Sequence, residues 1–249
     1  GFLIESPITE NAGFYADFRY NTAHIFLTHF EEEDDGTIFR MPKSYDYTTR
    51  YHYESDGFSV SLTAMGAKDN VQEDQAPGVV SSYPLGEKED SVFHTQGIKI
   101  AKVWNNGAVF QTTFSHTNFQ NLHQYGFSRF EKSIRDGYYN RSKFMFDVGQ
   151  HLITLGGNFS HVKGTYDYDA RRDYCDDFNL NCFSSNFSRY TRKDDFNEAE
   201  LFIQDQFEIA TDVEVEVGVH LARDFYLDQN FAEPRVGIYW NSTDKSVFY

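Results

Sequence analysis

The chain has 249 residues and a formal net charge of −16, with 25 Phe and 17 Tyr but only 2 Trp and 5 Pro. The acidic balance excludes a nucleic-acid partner, which requires a basic face, and argues against a peripheral protein held by anionic lipid. No stretch approaches the roughly 20 apolar residues of a membrane helix, whereas a mean hydropathy of −0.60 is compatible with a barrel, in which one residue in two faces water.

Taken in order, the sequence predicts about twelve strands. Gly1–Pro7 has neither a basic region nor a long apolar core, so it is no signal peptide; either a signal was removed or the chain starts inside a longer one. Strands are expected near 13–20 and 22–31, joined by a tight turn at Tyr20-Asn21-Thr22, with the acidic run Glu31–Asp35 in the loop beyond. Strands near 45–54 and 58–67 flank Ser55-Asp56-Gly57, and a long loop spans 68–90. The hairpin around Asn105-Asn106-Gly107 joins strands near 92–104 and 108–118, Asn-Gly being the strongest short hairpin signal. A loop over 119–137 leads to strands near 138–148 and 152–163 around Gly149-Gln150-His151, and the longest loop covers 164–193. The last strands lie near 196–209, 213–226 and 232–241, and another begins at Ser246.

The strands are two-faced. Val213, Val215, Val217, Val219 and Leu221 alternate with Glu214, Glu216, Gly218, His220 and Ala222. Every second connection is a tight turn and those between are long and polar, the asymmetry of an outer-membrane barrel. The turns at Asn21, Asp56, Asn106, Gln150 and Asp212 are therefore expected at one end, and the loops around Asp34, Val80, Gln124 and Asp176 at the other. Aromatic residues at 18% suit both strands and interfacial girdles.

Cys175 and Cys182 sit in one polar loop with no soft ligand between them, which suggests a loop disulfide in an oxidising compartment, the alternative being two unpaired thiols. No His-x-His or His-x-x-x-His pair occurs, so neither a dedicated metal site nor a cofactor is expected. Ser115-His116 is the adjacent Ser-His pair, and strand neighbours face opposite ways, so no catalytic dyad is expected there. The acidic run Glu31–Asp35 suits a divalent cation or cation-bridged lipopolysaccharide, the simpler alternative being a solvated loop. Two loops concentrate aromatic rings with guanidinium groups: Phe119, His123, Tyr125 and Arg129 in one, and Tyr166, Tyr168, Arg171, Arg172 and Tyr174 in the other. That chemistry suits an anionic, partly planar ligand such as a ferric chelate. The bland alternative is that these residues pack and solubilise large loops.

Glu200-Leu201-Phe202-Ile203-Gln204-Asp205-Gln206-Phe207, Thr211-Asp212, the Val213–Leu221 strand, Glu233-Pro234-Arg235 and Thr243-Asp244-Lys245 together resemble the barrel of TonB-dependent outer-membrane receptors, and His94-Thr95-Gln96-Gly97 is similar to mid-barrel hairpins of siderophore-type members. The resemblance covers most of the chain in rhythm, but only about residues 196–249 in recognisable words. His220 departs from it, standing where the family often has Arg. The resemblance implies import of a scarce nutrient, a ferric siderophore or cobalamin, through a plug and TonB that this chain does not supply.

The reading is thus an all-β fold: an antiparallel up-and-down transmembrane barrel region over 1–249, part of a larger barrel of about 22 strands. The expected setting is the bacterial outer membrane, with lipid and lipopolysaccharide as surroundings and a small-molecule ligand as partner. The alternatives are a passive porin-like or adhesin-like barrel and a soluble extracytoplasmic β protein.

Overall fold

A computed structural model describes the chain except residues 22–29, 32–36, 76–86, 126–128, 177–178, 244–245 and 249, and describes side chains over 1–21, 43–72, 87–124, 130–169 and 189–240. The described residues contain no helix. The strands are β1 (Phe2–Thr9), β2 (Ala12–Tyr20), β3 (Phe30–Glu31), β4 (Thr37–Ser55), β5 (Phe58–Gln75), β6 (Glu87–Val103) and β7 (Val109–Tyr125). They continue as β8 (Arg129–Val148), β9 (His151–Asp176), β10 (Asn179–Ala210), β11 (Val213–Asp224), β12 (Gln229–Thr243) and β13 (Ser246–Phe248). All lie in one sheet in sequence order, with the two-residue β3 attached beside β4. This is the predicted up-and-down meander.

The tight turns follow from their residues. Asp56 and Gly57 both have positive φ, 49° and 69°, as a two-residue hairpin turn with the right twist requires. Gly57 is also crowded, because a Cβ there would lie 2.6 Å from the Val103 carbonyl oxygen.

Register carries two chemically distinct faces across the sheet. On one, Val215, Val219 and Leu221 oppose Phe207, Ile203 and Leu201 on β10, and Ile238, Pro234 and Ala232 on β12. Ile203 opposes Leu155, Leu155 opposes Phe144, and Phe144 opposes Phe110. On the other face Glu216 opposes Gln206, Lys143 opposes Gln111 and Lys99 opposes Thr113. The apolar face is uncovered: Leu201 and Val236 are 66% and 75% exposed. So large an apolar surface requires lipid or a partner against it.

Toward the end opposite the tight turns, the apolar face changes from aliphatic side chains to rings. Tyr47 hydrogen-bonds His94, and His116, Tyr138 and His161 stack across three strands at 4.6 and 6.4 Å. Such a ring row is what the boundary of an apolar band against water produces in a membrane barrel. The polar face has its own tight packing. Phe202 stacks on His220 at 4.9 Å, His220 Nδ1 meets Glu200 at 2.7 Å, and the Phe202 ring lies over Gly156, where any Cβ would overlap it.

Two expectations are corrected. The first tight turn is Glu10–Asn11, not Asn21, because Phe2–Thr9 is itself a strand paired with β2. Pro7 disguised that strand; it stands where the β1–β2 register shifts, between Pro7 and Thr9, the kind of irregularity at which proline is tolerated. Asn21 therefore lies at the opposite end from Asp56, and most of the strand expected at 22–31 falls outside the described residues. The second correction concerns the long loops. Most of 68–90, 119–137 and 164–193 is strand, extending β5 to Gln75, β6 back to Glu87, β7 to Tyr125, β8 back to Arg129, β9 to Asp176 and β10 back to Asn179. The backbone there is held by the ladder although neither face is consistently apolar. The turns at Asp56, Asn106, Gln150 and Asp212 do share one end.

Candidate ligand-binding face

The extended ends of β7, β8 and β9 bring together residues from both aromatic segments. Because Phe119 opposes Arg135, Asn121 opposes Ser133, His123 opposes Glu131, and Ser133 opposes Tyr166, all seven side chains share the polar face. They line a cavity of about 190 Å³. Asn121 donates to Glu89 Oε1 at 3.0 Å, and His123 Nε2 lies 3.5 Å from Glu87 Oε2, so β6 anchors one wall. Asn121 Oδ1 and Ser133 Oγ are buried without a hydrogen-bond partner among the described residues. Both are free to meet a ligand or water.

A second wall rises from β9 and β10. Tyr168 opposes Tyr190, and Tyr166 opposes Arg192. Arg192 donates to Tyr226 Oη at 2.8 Å and pairs with Asp194 at 2.8 Å. Tyr226 is held by the turn after β11, where Asp224 accepts from the backbone N–H of Tyr226 and Leu227 at 2.8 and 3.0 Å. Phe196 packs on the Tyr226 ring at 4.7 Å. The polar face here offers exposed phenols beside a guanidinium that is already oriented. On the opposite face of the same extension, Arg189 grips Asp167 through two hydrogen bonds of 3.1 and 2.6 Å and holds its carboxyl below the usual carboxylate range, with the Thr191 hydroxyl assisting.

Of the residues picked out by sequence, Phe119, His123 and Tyr166 come together, and Tyr168 lies two positions beyond Tyr166 on the same face. They sit on strands rather than in loops. Tyr125 and Arg129 are cross-strand partners at the tip of β7 and β8 by backbone register, and Arg171, Arg172 and Tyr174 lie on β9; all five side chains fall outside the described ones. Cys175 lies on β9 and Cys182 on β10, and the neighbouring pair Tyr174–Phe183 is in register; the cysteine side chains too fall outside the described ones. Sequence reasoning missed Glu131, Ser133 and Arg135, which are polar-face residues only once β7–β8 register is known. It also missed Tyr190 and Tyr226, although their aromatic character was visible.

Other chemistry is sparse. Among the described residues no group of three His, Cys, Asp or Glu could hold a metal ion. Ser115 faces Tyr139 on the polar side, whereas His116 pairs with Asp136 at 2.5 Å on the other, so the adjacent pair forms no dyad. His52 does meet Ser61 at 2.8 Å and Glu54 at 3.4 Å, but Arg50 also donates to the Ser61 oxygen at 3.4 Å and Ser61 is buried in mid-ladder. The arrangement satisfies polar groups across β4 and β5.

No protein-family model matches the chain, and no curated protein matches it. Solved structures do. The siderophore receptor PiuA from Acinetobacter baumannii matches 97% of this chain with 45% of its own, at 10% identity and a TM-score of 0.68. The pyoverdine outer-membrane receptor FpvA from Pseudomonas aeruginosa PAO1, bound to pyoverdine, matches 97% with 42% of its own, at 14% identity and 0.68. The outer-membrane transporter YddB from Escherichia coli matches 96% with 35%, at 11% identity and 0.66. The fold is therefore that of the β-barrel wall of outer-membrane receptors, as the sequence resemblance implied, and the chain spans less than half the length of these proteins.

Proposed function

We propose that this chain forms part of the wall and outer rim of an outer-membrane receptor. The receptor captures a small anionic ligand, such as a ferric chelate, and imports it with energy supplied by TonB through a plug domain of the parent protein. The observation that carries this reading is the cavity between Phe119, Arg135 and Tyr166, which sets rings and a cation on the polar face of a sheet whose other face suits lipid. Aromatic faces and guanidinium groups recognise flat anionic chelates by stacking and charge-assisted hydrogen bonds. The whole region 1–249 acts in this reading as one barrel segment, with its extended strand ends outside the cell.

The test uses the full parent protein. Binding of ferric hydroxamate, catecholate and citrate chelates is measured for wild type and for the combined Phe119→Ala, Arg135→Ala and Tyr166→Ala variant. At least one chelate should bind wild type and lose on the order of 1000-fold affinity in the variant, the loss of about two hot spots of about 2 kcal/mol each. Equal binding by both proteins would move the site elsewhere, and no binding of any chelate would remove the substrate class. An epitope tag at Val80 should be reached by antibody on intact cells and one at Asn106 should not; the reverse pattern would invert the orientation.

A further inference from the structure

Nearer the tight turns, the polar face carries a second and larger cavity of about 700 Å³. It lies level with the apolar band, since Lys143 on its wall precedes Phe144 of the other face. One end is cationic, with Lys99 on β6 and Arg141 and Lys143 on β8. Register gives these three no carboxylate neighbour. Lys99 opposes Ser61 and Thr113, Arg141 opposes Thr113 and Asn158, and Lys143 opposes Gln111 and Gly156. Among the described residues none of the three has an ion pair or a hydrogen bond from its side chain. The other end is formed by Asn158 on β9 and Glu198 and Glu200 on β10. Glu200 is engaged, accepting from the Asn158 amide and meeting His220 Nδ1 at 2.7 Å. Glu198 is exposed and faces Ser160 and Asp224, neither of which neutralises it. Asn158 Oδ1 is buried without a hydrogen-bond partner among the described residues. One cavity thus holds three free cations at one end, and a free carboxylate with an unpartnered amide oxygen at the other.

We propose that this cavity binds a small bipolar molecule, with a compact anionic group against Lys99, Arg141 and Lys143 and an amine against Glu198 and Asn158 Oδ1. It rests on the receptor reading only in taking the polar face as the barrel lumen. The volume falls within the roughly 300–1,000 Å³ of small-molecule sites, whereas the outer cavity of about 190 Å³ has room for a single ring or acid group. The Arg141 guanidinium grips two oxygens of an anion in its planar fork, and the two lysines add point charges on either side. An ammonium group donates three hydrogen bonds, enough for the Glu198 carboxylate and the Asn158 oxygen together. A plain anion leaves Glu198 as a like charge nearby, and a plain cation meets three like charges, so both ends of the molecule select. Arg135 of the outer cavity stands on the same face of β8, about 20 Å along the strand from Arg141, so the two sites share one wall.

The full parent protein in detergent is titrated calorimetrically with 3-aminopropylphosphonate and with propylphosphonate, which lacks the amine. Wild type should bind the amine-bearing compound about tenfold more tightly, the difference one charge-assisted hydrogen bond makes. Glu198→Gln should erase that margin without weakening propylphosphonate. Lys99→Gln combined with Arg141→Gln and Lys143→Gln should abolish measurable binding of both. An equal charge change on the outward face, Lys132→Gln with Lys163→Gln and Lys193→Gln, should weaken neither. Heat-modifiable migration on a gel checks that each variant forms its barrel. No binding of either compound to wild type, the result an acidic plug segment seated in the cavity would give, would overturn the site. Binding that survives the polar-face variant, or falls equally in the outward-face variant, would overturn it too, and equal affinities of the two compounds for wild type would overturn its bipolar character. A parent protein that binds the phosphonate but no ferric chelate would remove the chelate reading above and leave this cavity standing; the reverse result would remove this cavity alone.

Discussion

The hairpins β9–β10 and β11–β12 stand side by side and are built differently. β9 and β10 run for 26 and 32 residues, whereas β11 and β12 run for 12 and 15. Their lower parts are alike, with aliphatic side chains on one face and polar ones on the other. Above that level β11 closes in a turn capped by Asp224, while β9 and β10 continue as a ladder in which both faces are polar or aromatic. A continuous apolar face suited to lipid thus organises the lower region, and backbone pairing with cross-strand ion pairs and hydrogen bonds organises the upper one. Packing is unforgiving below and permissive above.

The strongest test of that contrast is a pair of glycines on β9. Gly156→Val drives a branched side chain into the Phe202 ring and should cost about 3 kcal/mol, the upper range for overpacking. Gly164→Ala, where the nearest atom to an added Cβ is 3.9 Å away in the extension, should change stability by no more than about 0.5 kcal/mol. Urea unfolding of the parent protein in lipid vesicles measures both; equal costs would erase the distinction.

A cross-link at the extension tip is the next largest effect. The register around Tyr174–Phe183 sets the backbones of Cys175 and Cys182 on adjacent strands. A disulfide there should leave both thiols unlabelled by maleimide until reductant is added. Reduction should loosen the tip by about 2.5 kcal/mol on the loop-entropy estimate, without unfolding the lower sheet. Labelling before reduction would show instead that the ladder alone holds the tip.

The smallest effect concerns Asp167. Its folded-state pKa is depressed by Arg189, so the pair supports the extension above the ordinary carboxylate range and the support fades as pH falls through the lowered value. Protection of β9–β10 amides, taken relative to the intrinsic exchange rate at each pH, should fall over that acid range in wild type, whereas Asp167→Asn should show the lower protection at every pH. A wild-type profile parallel to that of the variant would show that the ion pair contributes nothing.

The same contrast explains what could be read from residues alone. Val213–Leu221 announces its strand because each apolar residue faces lipid and each polar one does not. Asp167-Tyr168-Asp169 announces nothing, since water wets both sides and the alternation carries no hydropathy contrast. The extension therefore reads as loop, although its aromatic and basic composition still pointed to Phe119, His123 and Tyr166. Arg135 and Ser133 needed the β7–β8 register, which no local signal supplies. The first turn was lost because Pro7 masks the strand before it.

The length of β10 has a consequence for what meets the molecule first. Its 32 residues correspond to a contour of about 105 Å, or a rise of roughly 80 Å at a tilt of about 40°. The apolar band occupies about 25 Å of that. With only a short segment below the band, roughly 50 Å of paired backbone extends beyond the apolar level. The ends of β9 and β10 near Asp176 and Asn179 therefore stand farther from the lipid than the cavity lined by Phe119 and Tyr166, so a change at those ends and a change at the cavity fall on separate stretches of the sheet.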